Sequence, residues 1–254
     1  MWACRAIAGL LDGELRCAAF RDASHNGLQV ENGGGPVERV ALAVDASMET
    51  FEAAVAAGAQ MVLVHHGLSW GESLARISGR NRRLVAYALA HDLAVYAAHL
   101  PLDAHPALGN NAQLARALGL REVEPFMAYH GQKIGLKGRL PEAMGRPAFE
   151  ARAREILRPR RVERFDFGAD RVEWIGICSG GAPEGVEQAA EEGLDLYLGG
   201  EGTLVAYTLA KDLRMNALFA GHYATERPGV FALGAWLAER TGLAVARLDF
   251  DLPY

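Results

Sequence analysis

The strongest regularity in this sequence is an alternation between short apolar runs and segments with helical spacing. The apolar runs are bounded by Gly, Asp or Ser, and they are short enough to be buried strands. The segments between them repeat their apolar residues with the period of a helix that packs one face against a core. Because this alternation is typical of βα units around a mostly parallel sheet, the sequence predicts an α/β fold.

The predicted elements fall into two similar series. The first series has strands at 40–44, 61–64 and 93–98, helices at 48–57 and 81–91, and a further helix at 110–118. The second series has strands at 172–178, 194–198 and 216–220, helices at 186–192 and 204–213, and a final helix and strand at 228–240 and 244–250. We interpret the two series as related β-α-β-α-β halves, although they share few residue identities.

The chain length predicts two domains, since a domain typically has about 150 residues. We place them at 1–124 and 125–254, with 125–170 as a variable connecting part that contains four prolines. Six arginines crowd together between Arg152 and Arg164, and we interpret them as a solvated helix face and strand edge. Pro228 is predicted to occupy the first turn of the final helix, and Gly242 to lie just past its end.

Charge and composition restrict the partners and the compartment. The formal net charge is −5, which disfavours nucleic acid, and no apolar run approaches the roughly 18 residues that span a bilayer. The three cysteines are widely spaced without a C-x-x-C pair, so neither a disulfide framework nor a thiolate metal site is predicted. The N-terminal residues lack the pattern of an export signal. We expect a cytoplasmic protein that is not membrane-bound.

Imidazoles and carboxylates follow three of the predicted strands. They are His65 and His66 after 61–64, His99 and Asp103 after 93–98, and His222 and Glu226 after 216–220. In an open parallel sheet, ligands bind outside the carboxyl ends of the strands. These residues are therefore expected to converge on one region if the two halves face each other.

This set of side chains has the chemistry of a metal site. Imidazole and carboxylate suit zinc, iron, manganese or similar ions, and the lack of thiolate argues against a closed structural zinc site. Adjacent residues of an extended segment point in opposite directions, so His65 and His66 would serve two ions more easily than one. Asp103 could then bridge the ions. Two ions about 3.5–4 Å apart can position and activate a water molecule.

Three further features have less specific signals. His99 could orient Asp103 or act as an accessory donor, and Glu201 could be a general base, a substrate contact or a helix N-terminal acid. We take both as candidate catalytic residues. The turn Ser179-Gly180-Gly181 could bind an anion through its amides, or it could need glycine for its backbone conformation alone. The other histidines are interpreted as ordinary polar residues: His25, His91, His105 and His130.

Several separated motifs resemble one known family. They are the segments 26–30 (NGLQV), 64–67 (VHHG), 99–106 (HLPLDAHP), 109–111 (GNN) and 221–227 (GHYATER). In this order they resemble the Nif3-like family of dinuclear-metal-centre hexameric proteins, also called GTP cyclohydrolase 1 type 2 homologues. The resemblance covers essentially the whole chain and is closest to the short bacterial members.

The resemblance implies a structure and a ligand set. It implies a two-domain α/β subunit, a pair of divalent metal ions in the cleft between the domains, and a ring-shaped homohexamer built as a trimer of dimers. The family's ligands fall on His65, His66, Asp103, His222 and Glu226. Longer relatives carry an inserted domain between the halves, and this sequence has no room for it.

The resemblance also implies an activity, with alternatives. The second family name implies hydrolytic opening of the guanine ring of GTP by metal-bound water, so we expect a metal-dependent hydrolase of a nucleotide or related small molecule. The main alternative is a non-catalytic hexamer that binds or delivers metal, or acts as a scaffold. A ring that threads DNA is a third possibility, which the acidic balance of the chain disfavours.

Overall fold

The computed structural model of the chain describes residues 1–253. These residues form two compact units. Unit 1 contains residues 1–109 together with 229–250, and unit 2 contains residues 110–228 together with the residues from Asp251 onward. Both units consist of a β-sheet with helices packed against it.

Nine α-helices, a short 3₁₀ helix (Cys17–Ala19) and eleven strands are found in the described part of the chain. The helices are α1 (Cys4–Leu15), α2 (Met48–Ala56), α3 (Gly79–Ala90), α4 (Leu100–Asp103), α5 (Asn110–Leu118), α6 (Arg146–Leu157), α7 (Gly185–Glu191), α8 (Leu204–Asp212) and α9 (His222–Thr241). The strands are β1 (Gly27–Val30), β2 (Arg39–Asp45), β3 (Met61–His66), β4 (Ala94–Ala97), β5 (Arg121–Tyr129), β6 (Gln132–Gly145), β7 (Glu163–Asp166), β8 (Arg171–Cys178), β9 (Leu196–Gly199), β10 (Asn216–Phe219) and β11 (Ala244–Arg247).

The sheet of unit 1 has the order β1-β4-β3-β2-β11. Strands β4, β3, β2 and β11 are parallel, and β1 is an antiparallel edge strand. The central strands are buried along nearly their whole length, which matches their uninterrupted apolar sequences. The apolar residues divide between two clusters, one that includes α1 and the second half of α9 and one that includes α2 and α3.

The sheet of unit 2 has the order β5-β6-β8-β9-β10-β7. Its three central strands β8, β9 and β10 are parallel, with α7 and α8 as the crossover helices. The outer strands β5, β6 and β7 pair antiparallel. One face of this sheet packs against α5 and α6 through a cluster that includes Leu114, Phe149 and Ile177.

The α/β class and the repeated β-α-β-α-β series agree with the sequence prediction. The division between the units lies elsewhere than the predicted boundary between residues 124 and 125, because α5 belongs to unit 2 and 229–250 belongs to unit 1. The reason is packing. Val230, Leu233 and Leu237 on the second half of α9 are fully buried in the core of unit 1.

The prediction for the start of the final helix was wrong. Helix α9 begins at His222, so Pro228 lies inside the helix instead of in its first turn. A proline there lacks the amide that would bond to the carbonyl of Ala224. The predicted end is confirmed, since Gly242 has a φ of 74° and donates its amide to the carbonyl of Ala238. Among residues 1–253, no helix is long and apolar enough to cross a bilayer.

Candidate metal centre

Unit 1 brings three histidines together at the carboxyl ends of neighbouring strands. His65 and His66 are the last two residues of β3, and His99 follows β4. One ring nitrogen from each lies within 4.8 Å of the other two. The ring centroids of His65 and His66 are 4.8 Å apart, and those of His65 and His99 are 5.1 Å apart. The predicted convergence at the strand ends is therefore present within this unit.

The two histidines of β3 reach toward different neighbouring strands through Nδ1. His65 Nδ1 lies 2.7 Å from the carbonyl oxygen of Ala98, and His66 Nδ1 lies 2.8 Å from Oδ1 of Asp45. A carbonyl oxygen only accepts, so Nδ1 of His65 carries the proton. In that tautomer Nε2 carries the lone pair that could bind a metal. The same Nε2 lies 3.4 Å from Oδ2 of Asp103, which is also buried.

His99 is held by a buried carboxylate. Its Nδ1 lies 2.9 Å from Oδ1 of Asp22, and Asp22 also accepts hydrogen bonds from the amides of Ser24 and Leu100 and from the side chain of Asn26. Burial by itself raises the pKa of Asp22, but these donors, with His99 foremost, lower it to about 2. Asp22 is therefore a fixed anion that orients the His99 ring.

Gln29 anchors the loop that follows the two histidines of β3. Its Oε1 accepts the amides of Leu68 and Ser69 at 2.6 and 3.0 Å, and its Nε2 donates to the carbonyl of His25. A Cβ at Gly67 would overlap this side chain, so glycine is required there. The loop places Trp70 against the cluster, with its ring centroid 4.8 Å from that of His99.

Unit 2 places His222 between two carboxylates. His222 is the first residue of α9, and Glu226 follows one turn later. His222 Nε2 lies 3.0 Å from Oε1 of Glu226, and Nδ1 lies 2.9 Å from Oε1 of Glu201. Burial by itself lowers the pKa of His222, but Glu226 and then Glu201 raise it to about 9. Metal binding by His222 would therefore displace a proton near neutral pH.

The glycine-rich turn after β8 packs against this pair. Gly180 has a φ of 70°, and a Cβ there would overlap Oε1 of Glu226 and lie 3.2 Å from Nε2 of His222. Its amide donates to Oγ1 of Thr225, and the amide of Ser179 donates to Oδ1 of Asn111. These two amides are therefore used within unit 2, and Gly180 packs directly against the carboxylate of Glu226. The anion-binding interpretation of the turn Ser179-Gly180-Gly181 is therefore not supported for the amides of Ser179 and Gly180, and for Gly181 it stays a prediction.

A cavity of about 280 Å³ lies beside His222 in unit 2. Its lining includes Arg161, Glu163, Glu201 and Phe219. Arg161 Nη2 lies 2.8 Å from Oε1 of Glu163. Other arginines of the basic segment are likewise paired with acids, as in Arg146 with Asp170, Arg154 and Arg164 with Glu150, and Arg160 with Asp251. Four of the six arginines between Arg152 and Arg164 are thus paired with acids, and five of the six are exposed, which agrees with the interpretation as a solvated face.

His105 and Cys17 have ligand-type side chains that are used or held in other ways. His105 uses Nδ1 to accept the amides of Ala107 and Leu108, so it caps a turn. Each of the three cysteines is a thiol outside any disulfide bond. Burial, above all, raises the pKa of Cys17 to about 11, which keeps its thiol protonated at neutral pH.

The structure thus groups the predicted residues by unit. His65, His66, His99 and Asp103 lie together in unit 1, and His222, Glu226 and Glu201 lie together in unit 2. Their joint role as ligands of two ions stays a prediction. Sequence reasoning gave no role to the side chains that contact this group in unit 1, which are Asp22, Asn26, Gln29, Asp45 and Trp70, although Asn26 and Gln29 belong to the quoted segment 26–30. For Asp45 a signal existed, because it ends strand β2 as His66 ends β3.

Relatives of known sequence match nearly the whole chain. A protein of Pyrococcus horikoshii called GTP cyclohydrolase 1 type 2 homolog is 41% identical over 243 residues, which cover 96% of either chain. A protein of Deinococcus radiodurans with the same name is 40% identical over 236 residues, which cover 93% of this chain and 89% of the relative.

Solved structures share the fold over the full length. The structure titled protein ybgI, of unknown function, has 33% identity and a TM-score of 0.92, and TTHA1606 from Thermus thermophilus has 32% identity and a TM-score of 0.89. Both comparisons cover 100% of each chain. The family model described as Duf34/NIF3 (NGG1p interacting factor 3) matches residues 2–251. With this match and these relatives, the chain belongs to the Duf34/NIF3 family.

Proposed function

We propose that this protein binds two divalent metal ions and uses them to hydrolyse a nucleotide or a related small molecule. Unit 1 supplies His65, His66 and Asp103, and unit 2 supplies His222 and Glu226. GTP is the first substrate to test, because the curated relatives bear the name GTP cyclohydrolase 1 type 2 homolog. A name of that kind identifies a candidate and does not fix the substrate.

The main support for the proposal is that Nδ1 of each proposed histidine ligand has an oxygen atom as a close partner. In His65, His66 and His222, Nδ1 lies within 2.9 Å of an oxygen of Ala98, Asp45 or Glu201. This is the arrangement that metal-binding histidines have in proteins, where a partner on one ring nitrogen fixes the tautomer and the other nitrogen binds the ion. It supports metal binding through Nε2 in each ring.

The donor set is chemically suited to such ions. Three imidazoles and two carboxylates match zinc, iron or manganese, and the protonated thiol of Cys17 lies outside the set. Bound divalent ions lower the pKa of water toward about 7 and so supply a nucleophile at neutral pH. His99 lies beside His65 with its ring oriented by Asp22, which suits it to carry a proton near the reacting atoms.

The cavity beside His222 is the proposed substrate site of unit 2. The ion pair of Arg161 and Glu163 at its wall offers guanidinium N–H donors and carboxylate acceptors, and Glu201, beside His222, offers a further acceptor. A polar ligand of nucleotide type has both the anionic groups and the N–H donors that these side chains match. Replacement of Arg161 by alanine is expected to raise the KM and to leave the metal content unchanged.

Metal content and turnover test the proposal together. The full chain is purified without added metal, as wild type and as His65→Ala, Asp103→Ala and Glu226→Ala, with His130→Ala as control because His130 is an exposed histidine outside both groups. About two ions per chain are expected in the wild type and the control, and clear loss in the other variants. GTP turnover is expected to fall with the metal.

The outcomes separate the proposal from its alternatives. Metal at the expected content without turnover of GTP or other nucleotides, combined with rapid transfer to an acceptor apoprotein, would instead identify a metal-delivery protein. Absence of metal, unchanged by added Zn²⁺, Mn²⁺ or Fe²⁺, would refute the metal site itself. Mass measurement in solution on the same samples tests the homohexamer, which we propose from the family resemblance.

A further inference from the structure

We infer that Asp45 and Glu201 are positioning residues for the metal site. Each carboxylate holds the Nδ1–H of one proposed ligand, His66 or His222, and so directs its Nε2 toward the ion. The inference rests on the proposed metal site but assigns a role to two side chains outside the ligand set. Glu201, considered above as a general base, acts in this view through His222.

The backbone fixes Asp45 beside His66. The two residues are register partners at the ends of the parallel strands β2 and β3. The amide of Ala46 donates to the carbonyl of His66, and Oγ1 of Thr50 donates to the carbonyl of Asp45 at 2.7 Å. With both main chains anchored, the carboxylate reaches sideways and meets Nδ1 of His66 at 2.8 Å. The contact follows from the sheet register and needs no mobile loop.

Glu201 is placed by the turn after β9. Its amide donates to the carbonyl of Gly180 at 3.2 Å, which ties it to the turn that packs against Glu226. Its Oε1 lies 2.9 Å from Nδ1 of His222, while Nε2 of the same ring faces Oε1 of Glu226 at 3.0 Å. Glu201 therefore accepts the Nδ1–H of the ring, and Glu226 lies beside Nε2, the nitrogen that would lose its proton and bind the metal.

The contacts of these two carboxylates are expected to contribute little to the stability of the fold. The side chain of Asp45 is 47% exposed and that of Glu201 is 46% exposed. Ion pairs at such positions contribute little to the free energy of unfolding. A carboxylate on the Nδ1–H of a ligating histidine, by contrast, fixes the ring orientation and raises the basicity of Nε2. The expected effect of these residues is therefore on metal affinity.

A third histidine, His99, also has a carboxylate at its Nδ1, and this carboxylate is buried. Asp22 holds Nδ1 of His99, and it comes from the loop before β1, whereas Asp45 ends β2 and Glu201 follows β9. Three carboxylates from unrelated positions thus each meet the Nδ1 of a histidine in the two groups. This recurrence indicates that the orientation of Nε2 is a requirement of the site.

Zinc affinity of the full chain tests the inference. The variants are Asp45→Ala, Asp45→Asn, Glu201→Ala and Glu201→Gln, and the controls are Glu52→Gln and Glu187→Gln, which alter exposed carboxylates elsewhere in the same units. Competition with a chromophoric chelator is expected to show about 10- to 100-fold weaker Zn²⁺ binding in the alanine variants. The amide variants keep an acceptor oxygen, so they are expected to recover part of the loss. Thermal melting of each variant serves as the check that it is folded.

A spectroscopic measurement separates positioning from a structural role. In zinc-loaded protein with ¹⁵N-labelled histidine, His66 and His222 are expected to carry the proton on Nδ1 and the metal on Nε2. Unchanged affinity in both folded alanine variants, or metal on Nδ1 of either ring, would overturn the inference. Failure of the wild type to bind Zn²⁺ would instead refute the proposed function.

Discussion

Gly180 offers the sharpest test of how unit 2 holds its part of the site. Substitution by alanine adds one methyl group at a residue whose φ is 70°, a conformation that costs an L-residue about 1–2 kcal/mol. The new Cβ would also lie about 1 Å or more inside van der Waals contact with Oε1 of Glu226. The strain lowers the free energy of unfolding, and the overlap displaces the carboxylate.

Gly193→Ala is a matched control in the same unit. Its φ is 68°, so it incurs the same backbone strain, but a Cβ there meets nothing within 4 Å. Both variants are expected to lose about 1–2 kcal/mol of stability, which corresponds to a fall in Tm of roughly 2–8 °C for a chain of this size. Only Gly180→Ala is expected to bind metal more weakly.

The size of the metal effect follows from the tolerance of metal–ligand bonds. Ligand distances in metal sites vary by only about 0.2 Å, so a shift of Glu226 by about 1 Å removes it as a ligand. We expect at least a tenfold weaker affinity for Zn²⁺ in Gly180→Ala, measured by chelator competition. If the two glycine variants bind Zn²⁺ equally well, then Glu226 is not a ligand held by this turn, and the reasoning fails.

Three further predictions concern the residues around the site. The pKa of Asp22 is lowered to about 2 in the folded protein, so its ionised form stabilises the fold at any pH above the pKa of an unfolded aspartate. The free energy of unfolding is expected to fall by about 2 kcal/mol as the pH decreases from about 5 to 2, and urea unfolding of Asp22→Asn should show a flatter pH dependence. Ser47→Ala removes the acceptor at the start of α2 and should lower the urea-derived stability by about 1 kcal/mol, with no change in zinc affinity. Gln29→Leu removes the acceptor of two amides in the loop after β3, so it should lower the free energy of unfolding by about 1–3 kcal/mol and weaken Zn²⁺ binding. The control Gln60→Leu also removes the acceptor of two amides, but it should lower stability without a change in Zn²⁺ binding.

The central strands were predictable because burial on both faces leaves an uninterrupted apolar sequence. Strands β2, β3, β8 and β10 appear within two residues of the predicted bounds. Strand β5 was missed for the opposite reason. Its first five residues are exposed, and Pro125 lies within it, which an edge strand tolerates but a sequence pattern does not reveal.

The sequence predicted the site residues that lie at strand ends. It did not predict the hydrogen-bond partners that are distant from them in the sequence. His65 and His66 are conspicuous as a polar pair after four apolar residues. Asp22 lies 77 residues before His99, and nothing in the local sequence around either residue connects them. Only the sheet order, with β1 paired to β4, brings the loop before β1 next to the end of β4.

The orientation of the imidazoles also bears on the choice between hydrolysis and metal delivery. A site whose ligands are fixed before metal arrives binds tightly, because little conformational entropy is lost on binding. In the proposed ligand His65 the partner of Nδ1 is a backbone carbonyl, and in the neighbouring His99 it is a buried carboxylate with four donors, so each ring loses a hydrogen bond to a fixed partner when it turns. Rigid ligands suit an ion that remains through many reaction cycles, whereas a delivery protein must release its ion to an acceptor. We therefore favour hydrolysis, and slow release of bound Zn²⁺ to excess chelator is the expected result.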